Sequence, residues 1–139
     1  MIKIALLSSP LCDYGKKIIN FSLKNIDKKI YKLNDLIGSN GTLVMFICNH
    51  CPYVKAIIKD LTKDCNELKK DGTNSVAIMS NDTKNYPEDS FDNMIKFAET
   101  NNFGEVNYLF DETQEIAKKY GAACTPDFFG YNKDLELQF

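Results

Sequence analysis

The 139-residue chain contains no tryptophan, no arginine and a single histidine, His50. Without arginine it has no planar guanidinium fork, so bidentate recognition of carboxylate or phosphate by a guanidinium is excluded within this chain. It also lacks a strong charge of either sign. Seventeen basic residues face nineteen acidic ones, for a net charge of −2. No basic stripe points to nucleic acid as a partner. No apolar run approaches the ~18 residues that span a bilayer, so no membrane partner is expected. Four prolines and seven glycines are too few for a collagen-like or low-complexity chain. No nucleotide, flavin or haem motif is visible, and no cofactor is implied.

What is present fits a folded protein of ordinary core size. Apolar residues make up 44% and charged residues 26%. The length predicts one domain over residues 1–139, with a poorly patterned segment at 1–19. The five cysteines, at 12, 48, 51, 65 and 124, are odd in number and unevenly spaced. A small secreted disulfide scaffold has more of them, in even number. The apolar stretch near Met1 is interrupted early by Ser8, Ser9 and Pro10, which is short for a signal peptide. These features predict a cytoplasmic protein.

Hydrophobic patterning predicts a hairpin over Asn20 to Leu33, with strands at Phe21–Leu23 and Ile30–Leu33 about a turn at Asp27–Lys29. One helical turn is expected at Asn34–Ile37, stopped by Gly38. Thr42–Ile47 is a continuous apolar run, as in a strand buried on both faces. Pro52 opens a helix to about Lys70 with an apolar face of Val54, Ile57, Ile58, Leu61, Cys65 and Leu68. Ser75–Ser80 reads as a second buried strand. Pro87 is placed to begin a helix with Phe91, Met94, Ile95 and Ala98 inward. A third strand at Asn107–Phe110, a short helix over Glu112–Tyr120, and strands at Asp127–Tyr131 and Leu135–Phe139 complete the order. Alternating strands and helices imply an α/β fold with parallel crossovers and an antiparallel ending.

The chemistry is concentrated in Cys48-Asn49-His50-Cys51, between the first buried strand and the first long helix. A helix N-terminus carries about half a positive charge and free N–H donors, both of which favour a thiolate. A free thiol near pKa ~8.5 is only about 3% ionised at pH 7; lowering it to ~7 ionises about half. Cys48 is expected to be the nucleophile, with Cys51 one turn along to resolve its mixed disulfide. His50 is a candidate for tuning the thiolate, against the plainer reading of a solvated loop residue. Zinc is the competing use of such a pair, but a tetrahedral site needs two further ligands. Two inert structural cysteines are the third possibility. Asp82, Glu88 and Asp89 are expected to be caps and solvent-facing charges.

These residues, together with Cys124-Thr125-Pro126 before the last hairpin, resemble the thioredoxin fold. More narrowly they resemble the AhpC/TSA (alkyl hydroperoxide reductase/thiol-specific antioxidant) group, in its peroxiredoxin-like branch. The likeness is carried by Phe46–Lys55 (FICNHCPYVK), Ser80-Asn81-Asp82, Tyr86–Ser90, Tyr120–Phe129 and Leu33–Leu36, and covers residues 20–139. It implies a central mixed sheet flanked by helices, with an N-terminal β-hairpin extension. It also implies that Pro126 is cis and that Thr125 and Pro126 form the substrate-binding loop against the CxxC. Read alone, Pro126 would be an ordinary trans proline at a strand start.

The resemblance implies two activities. One is thiol–disulfide exchange through Cys48 and Cys51 on protein or small-molecule thiols and disulfides, with an unknown electron donor. The other is hydroperoxide reduction, an antioxidant activity in which Cys51, preceding Pro52, attacks the peroxide and Cys48 takes a position usually held by Thr. The peroxide clamp of that group uses an arginine, which this chain lacks, so exchange is the favoured expectation. A non-catalytic metal-binding domain using Cys48, Cys51 and His50 is the alternative of another class. Cys124 is a candidate additional thiol, more simply read as a small buried residue. Cys65 is expected in the core. Members of the group continue into a further helix, so the expected fold is missing its final C-terminal helix. An apolar face left open in that way predicts poor solubility or self-association.

Overall fold

The computed structural model describes residues 14–122 and 125–139. Cys12 and Cys124 lie outside the described residues. Strands β1 (Ser22–Asn25), β2 (Ile30–Lys32), β3 (Gly41–Phe46), β4 (Thr73–Met79), β5 (Asn107–Phe110) and β6 (Asp127–Asn132) form one mixed sheet. Their order is β2-β1-β5-β4-β3-β6. The central pairs β3/β4 and β4/β5 are parallel, and the outer pairs β1/β2, β1/β5 and β3/β6 are antiparallel. Helices α1 (Pro52–Lys70), α2 (Phe91–Thr100) and α3 (Glu115–Tyr120) supply the crossovers. The observed fold is α/β and thioredoxin-like, as the sequence led one to expect.

Side-chain alternation splits the core in two. Met45, Ala77, Met79 and Tyr108 face one way, against Val54, Ile58 and Cys65 of α1 and Met94 and Ala98 of α2. Val44, Phe46, Val76, Ile78 and Leu109 face the other way, against Leu33, Leu36 and the Ile116 and Tyr120 side chains of α3. The apolar run of β3 is continuous because both faces of this strand are covered. An edge-on aromatic group of Phe46, Tyr120 and Phe129 packs the α3 side. Among the described residues, no helix is long and apolar enough to cross a membrane.

The helix ends follow from their residues. Cys51 is the N-cap of α1 and Pro52 its first residue, where the missing N–H costs nothing. Lys69 and Lys70 lie in its last turn, where cations complement the carbonyl end. Gly72 then adopts φ +82°, a left-handed turn open to glycine. Gly38 is required for another reason. A Cβ there would lie under 3.0 Å from backbone atoms of Gly41, Gly72 and Asn74.

Four local expectations change. Pro87 begins only a single 3-10 turn, Pro87–Asp89. Ser90 interrupts it in an extended conformation and caps α2, its hydroxyl accepting from the Asn93 N–H at 3.2 Å. The α1 face is also rotated from the expected one. Thr62 is buried, its hydroxyl donating to the Asn101 carbonyl at 3.0 Å, while Ile57 and Leu68 are more than a third exposed. The last helix starts at Glu115, not Glu112, because residues before it are spent in a turn with Gln114 at φ +65°. Its first turn is held by buried Asp111, which accepts from the Ala117 N–H and the Ser80 hydroxyl.

The fourth concerns Leu135–Phe139, which is not a strand of the ladder. Leu135 takes φ +63°, and in place of a continuous ladder the segment makes the isolated bridges Lys17↔Glu136 and Tyr131↔Leu137, with the Asn132 N–H donating to the Glu136 carbonyl, the Gln138 N–H to the Gly130 carbonyl and the Gly130 N–H to the Phe139 carbonyl. The returning segment is instead held between β6 and residues 15–18. The Gly15 N–H donates to the Leu137 carbonyl and the Leu137 N–H to the Lys16 carbonyl, both at 2.9 Å. Residues 15–18 of the unpatterned segment thus join the returning strand end by backbone hydrogen bonds, which leave no hydrophobic periodicity to read.

Candidate active site

The Cys48-Asn49-His50-Cys51 turn leaves the end of β3 and enters α1. Its two sulfurs meet Thr125, whose bond to Pro126 is cis, as the resemblance implied. The Cys48 Sγ lies 3.3 Å from the Thr125 hydroxyl, and the Cys51 thiol donates to the Thr125 carbonyl at 3.4 Å. The topology explains the meeting. Strands β3 and β6 are antiparallel neighbours with Phe46 opposite Asp127, so the residues after one strand and before the other share one end of the sheet.

The two thiols are unequal, in the order opposite to the one expected from position alone. Cys48 is 1% exposed, whereas Cys51 is half-buried. Burial pushes the Cys48 thiol up to about 11; the charges of Asp89 and Cys51 push the same way, against the Thr125 hydroxyl. Cys51 is held below the ordinary thiol value. Its own partial burial acts upward but is outweighed by the Val54 N–H, the Thr125 hydroxyl, the Tyr53 N–H and the Cys48 thiol. The helix N-terminus therefore acts on the N-cap cysteine, Cys51. Cys48 lies three residues earlier, under the surface.

Asp89 is the residue that sequence reasoning misplaced. Instead of facing solvent it is fully buried beneath the turn. Its Oδ1 accepts from the Asn49 N–H at 2.7 Å and the His50 N–H at 3.3 Å. Its Oδ2 accepts from the Asn81 side chain at 2.9 Å and lies 2.6 Å from His50 Nδ1. Asn49 is tied down twice more, donating to the Glu88 carbonyl and accepting from the buried Tyr108 hydroxyl at 2.8 Å. His50 is stacked on Tyr86, with ring centroids 4.9 Å apart and planes within 8°. Its side chain is 28% exposed and is held between the Asp89 carboxylate and the Tyr86 ring. The available sequence signal was weak: a lone Asp in a 3-10 turn beside a CxxC-bearing loop. Asp82 behaves as expected, turning its own loop by accepting from the Lys84 N–H. Cys65, 2% exposed, belongs to the core, as expected.

Cys48, His50 and Asp89 present ligand atoms within 4.8 Å of one another, a donor set that could suit a metal. The geometry fits poorly. Nitrogen and oxygen ligands about 2.0–2.1 Å from a tetrahedral zinc stand roughly 3.3 Å apart, whereas His50 Nδ1 and Asp89 Oδ2 are 2.6 Å apart. The four N–H groups around Asp89 already fill its lone-pair positions.

Comparison with known proteins bears on this arrangement. No curated protein matches the chain. Among solved structures, an uncharacterized conserved protein from Geobacillus kaustophilus is 46% identical with a TM-score of 0.86, over 89% of this chain and 66% of that one. A hypothetical protein from Sinorhizobium meliloti 1021 is 35% identical with a TM-score of 0.88, over 93% and 70%. The chain thus spans about two thirds of the length of both. A secreted Mycobacterium tuberculosis disulfide oxidoreductase homologous to E. coli DsbE shares the fold at a TM-score of 0.70 and 16% identity, over 85% and 80%. The AhpC/TSA family profile matches residues 14–138, the span that contains the sheet, the paired thiols and the cis Thr125–Pro126. With the thioredoxin-like strand order and that match together, the chain belongs to the AhpC/TSA family.

Proposed function

We propose that this protein is a thiol–disulfide oxidoreductase in which Cys51 attacks and Cys48 resolves. The observation that carries the reading is the asymmetry of the two thiols over Thr125. One is half-buried at the helix N-cap and held below the ordinary thiol value; the other is buried and pushed above it. An accessible thiolate is the species that attacks a substrate disulfide. A buried thiol beside it stays protonated until the mixed disulfide forms, then displaces the substrate. This reverses the roles expected from chain order and keeps the same pair.

Substrates of this reading are protein or small-molecule disulfides reaching the half-exposed Cys51. The test is equilibration in glutathione buffers with mass-spectrometric readout. A reversible Cys48–Cys51 two-electron couple between about −270 and −120 mV supports exchange. Failure to form that disulfide rejects it.

A second reading, hydroperoxide reduction by Cys51, is favoured by the position of this thiol as N-cap immediately before Pro52. The absence of any arginine weighs against an efficient anion clamp. Peroxide consumption that depends on Cys51 and persists without Cys48 would select this reading over exchange.

A further inference from the structure

We propose that the flank of α1 facing α2 is a docking surface for an acidic segment of a protein substrate, which it brings to Cys51. The inference rests on the exchange reading above and names the class of substrate that reading takes.

Lysines carry the argument. Lys55, Lys59 and Lys63 recur every four residues of α1, so they lie in one row. Lys55, with Lys96 of α2, lines a groove of about 510 Å³ whose lining includes Asn49 of the cysteine turn. Lys59 and Lys63 line a second groove of about 520 Å³ further along. The two grooves follow one flank, since Asn101 lines the first and Asn102 the second. All four lysines are exposed. Among the described residues the ion pairs are Lys17–Glu136, His50–Asp89 and Lys69–Glu105, and none uses these four. With Lys70 the grooves hold five lysines, against the three carboxylates of Asp60, Glu67 and Glu88. This local excess of positive charge stands on a chain whose net charge is −2.

The row also has the right reach. The Lys55 N–H donates to the Cys51 carbonyl at 2.9 Å, so the first lysine follows the attacking residue by one helical turn. At about 1.5 Å per residue, Lys55, Lys59 and Lys63 stand about 6, 12 and 18 Å beyond Cys51 along the axis. An extended peptide covers about 3.3 Å per residue. Acidic side chains about two, four and five to six residues from a substrate cysteine would therefore meet the row. Lysines act as mobile point charges, which suits attraction without fixed geometry. Such attraction works chiefly on the rate of association. The lining residues include no arginine and no exposed aromatic ring on which a base could stack, which favours an acidic peptide over nucleic acid.

The test uses three peptides with one central cysteine, activated as its 2-pyridyl disulfide. Glu, Gln or Lys occupies the second, fourth and sixth positions on both sides. The Cys51 thiolate bonds to the peptide sulfur, and the bond to the pyridylthio group breaks. Its electron pair leaves as pyridine-2-thiolate, which takes a proton from water and absorbs as the thione. In about 0.01 M salt the Glu peptide is expected to react at least about tenfold faster than the Gln peptide, with the Lys peptide slowest. In about 1 M salt, where screening acts beyond about 3 Å, the Glu and Gln rates should agree within about twofold. The triple variant Lys59→Gln, Lys63→Gln, Lys96→Gln should lose the preference at low salt and keep the Gln-peptide rate. A control with the same charge change, Lys118→Gln, Lys119→Gln, Lys133→Gln, should keep the preference. A Glu peptide no faster than the Gln peptide, or a preference that survives the first triple or is lost equally in the control, overturns the proposal and leaves exchange intact. Tighter binding of a DNA oligonucleotide than of the Glu peptide in about 0.1 M salt overturns it in favour of nucleic acid. A wild-type protein that holds the peptide on Cys51 and never releases it by forming the Cys48–Cys51 disulfide, read by mass spectrometry, overturns the exchange reading and the proposal with it.

Discussion

The His50 imidazole meets the buried Asp89 carboxylate at 2.6 Å, and the same carboxylate takes the backbone N–H groups of Asn49 and His50. One side chain thus fixes both the ring and the loop that carries it between the two cysteines. Asp89→Ala would leave those buried donors without a partner. At about 1–3 kcal/mol per stranded group, a loss of at least about 3 kcal/mol is expected. Urea denaturation of the reduced protein would measure it, and a change under 1 kcal/mol would show that the loop holds itself.

The unequal thiols predict selective alkylation. Iodoacetamide near pH 7.5 should label Cys51 well before Cys48, read by peptide mass spectrometry. Labelling of Cys48 should stay slow until the pH nears about 11. Preferential labelling of Cys48 at neutral pH would restore the order expected from chain position.

Thr125 serves both sulfurs, so Thr125→Val should shift both in one direction. Its hydroxyl lowers the pKa of Cys48 and of Cys51. Removing it should raise the midpoint of the Cys51 alkylation profile and slow alkylation at pH 7. An unchanged midpoint would assign the low value to the helix N-terminus alone.

Cys48 also ties stability to pH. Its folded-state value is raised from 9.0 to about 11, so folding favours the protonated thiol. That stabilisation is fully present below pH 9 and is lost as pH rises through about 11. Two units correspond to about 2–3 kcal/mol. Buried Tyr108 and Tyr120, both held above the usual tyrosine range chiefly by burial, act in the same direction. Denaturation of the reduced protein at pH 8 and pH 10.5 should show a steep fall, smaller in Cys48→Ala.

Gly38→Ala places a methyl against three backbone atoms at once, which no side-chain movement relieves. A loss of about 3 kcal/mol is expected. A thermal melt within 2 °C of wild type would mean the Gly38 and Gly72 turns move apart readily.

Much of this was legible in the residues. The apolar runs at β3 and β4 and the Pro52 helix start are local signals, because burial and capping depend on near neighbours. The CxxC between strand and helix and the Thr-Pro before the last strand pointed to the family and to the candidate site for the same reason. The faint elements were those fixed by backbone hydrogen bonds at a distance, such as the 135–137 return against residues 15–18.

The amino-acid sequence by itself determined the α/β order, the pair of cysteines and the helix start between them and the core, since each is written in contiguous residues. Only the tertiary structure decided which thiol is buried and what surrounds the pair: Cys48 packs into the core cluster, Thr125 is brought across by β3/β6 pairing, and the Asp89 carboxylate takes the N–H groups of the turn. A carboxylate forty residues away carries no local mark of burial. Whether it faces water or the N–H groups of Asn49, His50 and Asn81 is settled by the packing that surrounds it.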